Sequence, residues 1–450
     1  MASPTLHPAP GRAPGLGLLA SRSVLSAVRA DALGFLTDLH RRHGDIARFQ
    51  VGPYVTYLLA HPDAIRHVLV DRAANYTKHT RDYDKLRLSL GEGLVTSEGD
   101  FWRRQRRIAQ PAFHREQIAR FADVMTGRTV AMVERWLARP GPLDVAHEMM
   151  RLTLQIVSAT LFSTDLGEEL DEIGRSVEIA NRQTIERISS LFDLPLWVPT
   201  SRNRELVRAL HVFDRLIYGQ LEARRRAEDP GQDLLGMLLA ARDPETGEGM
   251  TDAQLRDEIV TMFVAGHETT ANALAWSFYL LAQHPQAEGR ARAEVDAALA
   301  GRAATLADLP GLGYLKQVAQ EAMRLYPPVW AIGRGAVADD VVGGIRIERG
   351  ADITLSQWVT HRHPALWRDP DAFDPDRFAR ADELPRFAYF PFSGGARQCI
   401  GMSFALMEAQ LILATVLQRH PLALVPGHSV VPEPLVTLRP RGGLPMVRAA

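Results

Sequence analysis

The sequence predicts a mainly α protein with a small β lobe. Three observations carry that reading. Apolar residues recur at helical spacing through much of residues 62–320; strand-like clusters are short, at residues 45–59 and 345–355 and in pieces after residue 418; and no linker-like composition divides the chain. The 450 residues are 46% hydrophobic and 23% charged, ordinary for a globular protein, and length alone is only a soft prior for two or three domains. Since nothing marks a boundary, the expectation is an irregular arm and first helix over 1–44, then a single domain over 45–450.

Residues 1–17 carry Pro4, Pro8, Pro10 and Pro14 and read as the arm. The apolar residues 16–20 that follow Arg12 fall short of a secretory core of roughly 7–15 residues. No uninterrupted apolar run approaches the ~20 residues that span a bilayer, so a cytoplasmic protein is expected. A formal net charge of −1 gives no bulk field to recruit nucleic acid. Residues 45–51 and 54–59 flank Gly52-Pro53 and read as a hairpin. Loops at 194–200 and 243–250 interrupt the helical spacing. Short strands return at 345–347 and 353–355, with Glu348-Arg349-Gly350 as the turn. Residues 364–391 are proline-rich and irregular, and a helix follows from about Gly401 to Gln418.

The longest helix starts at Thr251-Asp252-Ala253-Gln254, a capping box with Thr251 at the N-cap, and runs to Gln283, before His284-Pro285. Its centre, Ala265-Gly266-His267-Glu268-Thr269-Thr270, is odd inside an apolar run. Gly266 costs about 1 kcal/mol of helix propensity relative to alanine. The two threonine hydroxyls compete for backbone carbonyls. Solvent-facing polar residues beside a tolerated glycine would be the plain account, and the apolar surroundings weaken it.

The single cysteine, Cys399, excludes an intrachain disulfide and multi-cysteine zinc or iron–sulfur sites. A buried inert thiol leaves its surroundings unexplained: Phe392-Ser393-Gly394-Gly395-Ala396-Arg397-Gln398-Cys399-Ile400-Gly401. The adjacent glycines allow a tight turn with positive φ. A helix begins just beyond, so its free N–H groups and positive dipole end point back at the sulfur, and Arg397 adds a cation. All of this favours a thiolate. A redox-active thiol lacks a resolving cysteine. A nucleophile with a histidine base stays open among 15 histidines, but a metal ligand fits the glycine turn better.

The spacing Phe-x-x-Gly-x-Arg-x-Cys-x-Gly resembles the haem-binding loop of cytochromes P-450, with five fixed positions out of ten. The resemblance implies that family's fold and a haem b cofactor with Cys399 as its thiolate ligand. It also places Arg397 at a haem propionate and Phe392 near the sulfur. The helix centre is similar to the family's oxygen-binding groove. There Ala265 and Gly266 leave room for dioxygen, while Glu268 and Thr269 form the catalytic acid–alcohol pair that delivers protons through water. Trp102 and Arg106, at i and i+4, resemble a propionate anchor, and Arg334 a second one. Glu321-Ala322-Met323-Arg324, with Arg377 of Pro375-Asp376-Arg377-Phe378, resembles the structural triad that supports the haem pocket. Val329, five residues after Arg324, would line the substrate pocket. One departure is His363 in His361-Arg362-His363-Pro364, where many members carry aspartate, so local hydrogen bonding there must differ.

The implied reaction inserts one oxygen atom of O2 into an apolar small molecule: a fatty acid, terpenoid or polyketide-like compound. Only 51 residues follow Cys399, too few for a further domain of ~100 residues. Electrons are therefore expected from a ferredoxin or flavodoxin in trans, with exposed Arg103 and Arg107 as the docking patch. A peroxide-driven or isomerising haem-thiolate enzyme is one alternative, against which Glu268 and Thr269 argue. A haem-based sensor is the alternative of another class, separated by substrate-induced spectral change and turnover.

Overall fold

The hairpin forms where the alternation places it. Strands β1 (Ile46–Val51) and β2 (Tyr54–Leu59) pair antiparallel with Val51 opposite Tyr54, leaving Gly52-Pro53 as a two-residue turn. Gly52 has φ 58°, the conformation that favours glycine. The structure, a computed structural model, describes residues 11–139, 141–163, 167, 169–190, 193–226 and 231–449. Residues 1–10 of the predicted arm lie outside them. The chain divides into two compact units.

The smaller unit comprises Met1–Thr80, Ala331–Pro370 and Asp382–Gln398. It holds helix α1 (Ala32–His43), whose N-cap Asp31 accepts a hydrogen bond from the Gly34 N–H. It also holds a six-stranded sheet. From one edge the order is Gly15–Leu16, β1, β2, β6 (Asp352–Leu355), β3 (Ile332–Ala336) and Tyr76–Thr77. Tyr57, Leu59, Ile353 and Leu355 of this sheet join Ile65, Val68, Phe387 and Phe390 in the unit's apolar core.

Both predicted late strands exist, but Glu348-Arg349-Gly350 does not pair them. Strand β5 (Ile345–Ile347) pairs instead with β4 (Asp340–Val342), Val342 opposite Ile345. The turn between β4 and β5 is Gly343-Gly344, at φ 53° and 79°. Two consecutive residues of positive φ match the twist of a tight hairpin, and that glycine pair outweighs the longer turn the sequence suggested.

The larger unit comprises Arg81–Trp330, Asp371–Ala381 and Cys399–Ala450 and is helical apart from short strands. Its principal helices are α2 (Gly99–Ala109), α3 (Val145–Phe162), α4 (Glu169–Ile188), α5 (Asp252–Gln283), α6 (Gly313–Leu325) and α7 (Met402–Arg419). Helix α5 has 32 residues, roughly 48 Å, and begins at the predicted capping box. The Thr251 hydroxyl accepts from the Gln254 N–H, and the Gln254 side chain accepts from the Thr251 N–H. Leu255, Ile259, Phe263, Leu274 and Phe278 bury the helix in the core. An added Cβ at Gly266 would meet Val157 Cγ2 of α3 at 3.3 Å, so this glycine serves the close approach of α3 to α5.

Candidate functional site

Cys399 stands three residues before α7. Its sulfur is reachable by solvent, yet protein surrounds it closely. Burial pushes the thiol pKa up, while the Gly401 N–H and the Arg106 guanidinium pull it back towards thiolate. Arg106, on α2, donates from Nε to Gln110 Oε1 at 2.9 Å, and its neighbour on the same helix face, Trp102, is buried. A lone sulfur with an N–H and a cation directed at it fits the donor set that a haem iron needs.

The turn before Cys399 belongs to the smaller unit and is built differently from the expectation. Gly395 has φ 65°, and a Cβ there would fall 2.1 Å from the Leu69 carbonyl oxygen. Gly394 is extended, not left-handed; it must be glycine because a Cβ would fall 2.2 Å from the Phe387 ring. Ser393, not Gly394, takes the second positive φ, 59°. Phe392 and Arg397 are half-buried. Arg334, on β3, is buried, and its Nη1 donates to the Gly333 carbonyl at 2.7 Å.

At the centre of α5, Ala265 is exposed and Thr269 half-buried within a stretch that is otherwise largely buried. The Thr269 hydroxyl donates to the Ala265 carbonyl at 2.8 Å. Glu268 is buried and turns elsewhere. Thr437 Oγ1 donates to Glu268 Oε1 at 2.7 Å, and Asn181 Nδ2 of α4 donates to Oε2. Burial raises the Glu268 pKa, opposed by Thr437, Arg439 and Asn181 and reinforced by Glu178. A cavity of about 560 Å³ adjoins the carboxyl, walled by Asp171, Arg175, Glu178, Asn181 and Arg439 among others. Met150, Leu154, Leu170 and Val177 complete its walls, so the lining is mixed polar and apolar. Neither Thr437 nor Asn181 was legible in the sequence. His267 is bonded through Nδ1 to the Phe263 carbonyl, and burial pushes its pKa down to about 4.

Beside Thr269, Thr270 shares a hydrogen bond with Glu408 of α7, whose pKa burial pushes up to about 8. The folded state thus holds this proton more tightly than the unfolded chain, where the value is 4.5. Linkage then makes stability fall as pH rises from about 4.5 to 8, by about 1.4 kcal/mol per pH unit. Glu408→Gln should remove that slope, so the variant gains stability over wild type by a few kcal/mol at pH 8 and little at pH 5. Urea melts at the two pH values check it; parallel curves would place an ionised Glu408 in the fold.

The triad is assembled within the larger unit. Arg324 donates to Glu321 from Nε at 2.7 Å and from Nη2 at 2.8 Å, both side chains being fully buried. Arg377 Nε donates to Glu321 Oε1 at 3.3 Å. Val329 is half-buried outside the core cluster, between two tethers. The Pro328 carbonyl accepts from Leu438 N, and Trp330 Nε1 donates to the Leu435 carbonyl, each at 2.9 Å. The predicted docking patch fares worse. Arg107 pairs with Asp243 and Glu245, and Arg103 with Asp100. Acidic neighbours therefore largely neutralise the face expected to attract an acidic donor.

Residues 12–443 match the cytochrome P-450 family. The chain belongs to that family. It is 40% identical over 434 residues to cyclooctatin synthase of Streptomyces melanosporofaciens, covering 95% of this chain and 93% of the relative. Cyclooctat-9-en-7-ol 5-monooxygenase of the same organism is 38% identical over 447 residues, covering 98% and 95%. Pentalenene oxygenase of Streptomyces avermitilis is 34% identical over 412 residues, covering 90% of each chain. The crystal structure of the cytochrome P-450DA haem domain superposes with a TM-score of 0.90 at 28% identity, covering 98% of both chains. This cytochrome P-450 is accordingly a mainly α haem-thiolate monooxygenase with haem b as cofactor. It inserts an oxygen atom of O2 into an apolar small molecule, with electrons from a redox partner. Among the described residues no helix is long and apolar enough to cross a membrane.

Proposed function

We propose that this cytochrome P-450 oxygenates a cyclic terpenoid-type hydrocarbon or its alcohol. Cys399 is the thiolate ligand on which the reading rests, with the Gly401 N–H and Arg106 favouring the ionised sulfur. Arg397, Arg106, Trp102 and Arg334 hold the haem through its propionates, and Phe392 packs near the sulfur. Bound there, haem supplies the site for O2 reduction. The substrate class is drawn from relatives whose names specify a ring alkenol and pentalenene as the compounds oxygenated. Val329, on its tethered turn, lines the substrate pocket. The family match runs through segments of both units, which supports treating residues 45–450 as one functional domain.

The chain's own part in the chemistry is proton handling and exclusion of water. Glu268 takes protons from water in the cavity beside it, held in place by Thr437 and Asn181. Burial raises its pKa, while Thr437, Arg439 and Asn181 oppose the shift. Thr269 receives that proton through water and presents its hydroxyl from the accessible side of α5, next to Ala265 and Gly266. Electrons come from a ferredoxin or flavodoxin in the cytoplasm, docking elsewhere than at Arg103 and Arg107.

Thr269→Ala should leave haem content and substrate affinity within about twofold while most reducing equivalents go to peroxide or water. A factor of ten in coupling corresponds to about 1.4 kcal/mol of lost preference. Stoichiometry of NADPH, O2, peroxide and product, with a cyclic terpene alcohol as substrate, decides it. Unchanged coupling removes Thr269 from the mechanism. Failure of all cyclic terpenes to give either a spectral shift or product rejects the substrate class.

A further inference from the structure

In the smaller unit, two histidines converge on one carboxylate oxygen. His40 Nε2, in the last turn of α1, lies 3.0 Å from Asp45 Oδ1, and His363 Nε2 lies 2.9 Å from the same atom. The two rings stand 4.9 Å apart, centroid to centroid. A third ring, His61, stands 6.2 Å from His363, edge towards it. Two of the chain's 15 histidines thus bond one aspartate, with the ring of a third beside His363. The donor atoms of His40, Asp45 and His363 all lie within 4.8 Å of one another.

We infer that His40, Asp45 and His363 form a binding site for a zinc-class divalent transition metal ion. Two imidazoles and one carboxylate leave a fourth position for water. In a tetrahedral zinc site with bonds near 2.0–2.1 Å, ligand atoms sit about 3.3 Å apart. The nitrogen–oxygen separations of 3.0 and 2.9 Å are already close to that edge. Imidazole donors select zinc, copper or nickel over magnesium and calcium, which take oxygen ligands.

The scaffold is pre-assembled. Trp358 Nε1, on the short helix Gln357–Thr360, donates to Thr37 Oγ1 one turn before His40, fixing the segment that carries His363 against α1. The Ala60 N–H donates to the Asp45 carbonyl, setting His61 beside the group. One feature limits affinity. His363 Nδ1 accepts from the Ala365 N–H at 3.1 Å, so its proton sits on Nε2, facing Asp45. Metal at Nε2 moves that proton to Nδ1 and displaces the Ala365 N–H. Binding is therefore in the micromolar range rather than that of a structural zinc. The bound ion would staple α1, the start of β1 and the segment after residues 357–360.

The test is zinc titration of tag-free, haem-loaded enzyme by calorimetry, with metal analysis after dialysis and thermal melts with zinc or chelator. Wild type should take up one zinc per chain at micromolar Kd and melt higher with zinc, because the ion binds only the folded site. His40→Gln and His363→Gln should each weaken binding at least tenfold and lose the zinc-dependent rise. Melts in chelator and haem content show whether the variants fold. If His363→Gln does not fold, His40→Gln alone decides. No uptake by wild type at 100 μM zinc, or equal uptake in a folded variant, overturns the site and leaves a hydrogen-bonded triad only.

Discussion

Replacing Cys399 by serine or histidine should abolish monooxygenation, by at least about a thousandfold, equivalent to roughly 4 kcal/mol of transition-state stabilisation. Wild-type enzyme, reduced under carbon monoxide, should show the strongly red-shifted Soret band of a haem-thiolate protein. Cys399→His should move that band to the position of a histidine-ligated globin even where haem is retained. The magnitude follows from the role proposed for the sulfur: a thiolate at the haem iron would push electron density onto it and favour O–O cleavage. Serine is nearly isosteric, but its alcohol does not ionise at neutral pH despite the Gly401 N–H and Arg106. The fold should survive, because Cys399 lies outside the apolar core clusters. Far-UV circular dichroism should therefore match wild type while the spectrum and turnover change. A red-shifted band in Cys399→Ser would mean that another group ligates the iron.

What was legible in advance is local. The capping box of α5, the hairpin at Gly52-Pro53 and the cysteine loop each lie within about ten residues of chain, where turn chemistry and periodicity act directly. The surroundings of Glu268 were not legible, because Asn181 and Thr437 lie 87 and 169 positions away. No spacing rule links residues brought together by the packing of separate elements. The same holds for Glu408 against Thr270, and for His363 against Asp45, 318 positions apart. The departure at His363 was visible as a change of residue type; its consequence was not. Gly394 shows a subtler limit. A glycine pair reads as backbone freedom, whereas one member is needed for the ring of Phe387. Arg107 shows a related limit: its pairing with Asp243 and Glu245, on a distant loop, cannot be read from the basic run itself.

The largest stability effect should come from Glu321. Its two oxygens accept Arg324 Nε and Nη2, Arg377 Nε and the Asp374 N–H, at 2.7–3.3 Å. Arg324 also donates to the Ala372 carbonyl at 3.0 Å. Glu321→Ala leaves a fully buried guanidinium without its counter-charge and strands the Asp374 N–H. Breaking one side of a buried pair costs about 3–5 kcal/mol. Residues 371–381, which these bonds tie to α6, should loosen with it. Arg324→Ala should cost less, because the remaining carboxylate keeps Arg377 and the Asp374 N–H. The order, Glu321 above Arg324, separates a network centred on the carboxylate from a simple ion pair, in which the two losses would be similar. Glu321→Gln keeps the volume and one carbonyl acceptor and should fall between. Urea denaturation followed by circular dichroism, with the Soret band as a second probe, measures all three. Losses below about 1 kcal/mol for Glu321→Ala, as at an exposed pair, would mean that water reaches this carboxylate and that the triad does not support the fold.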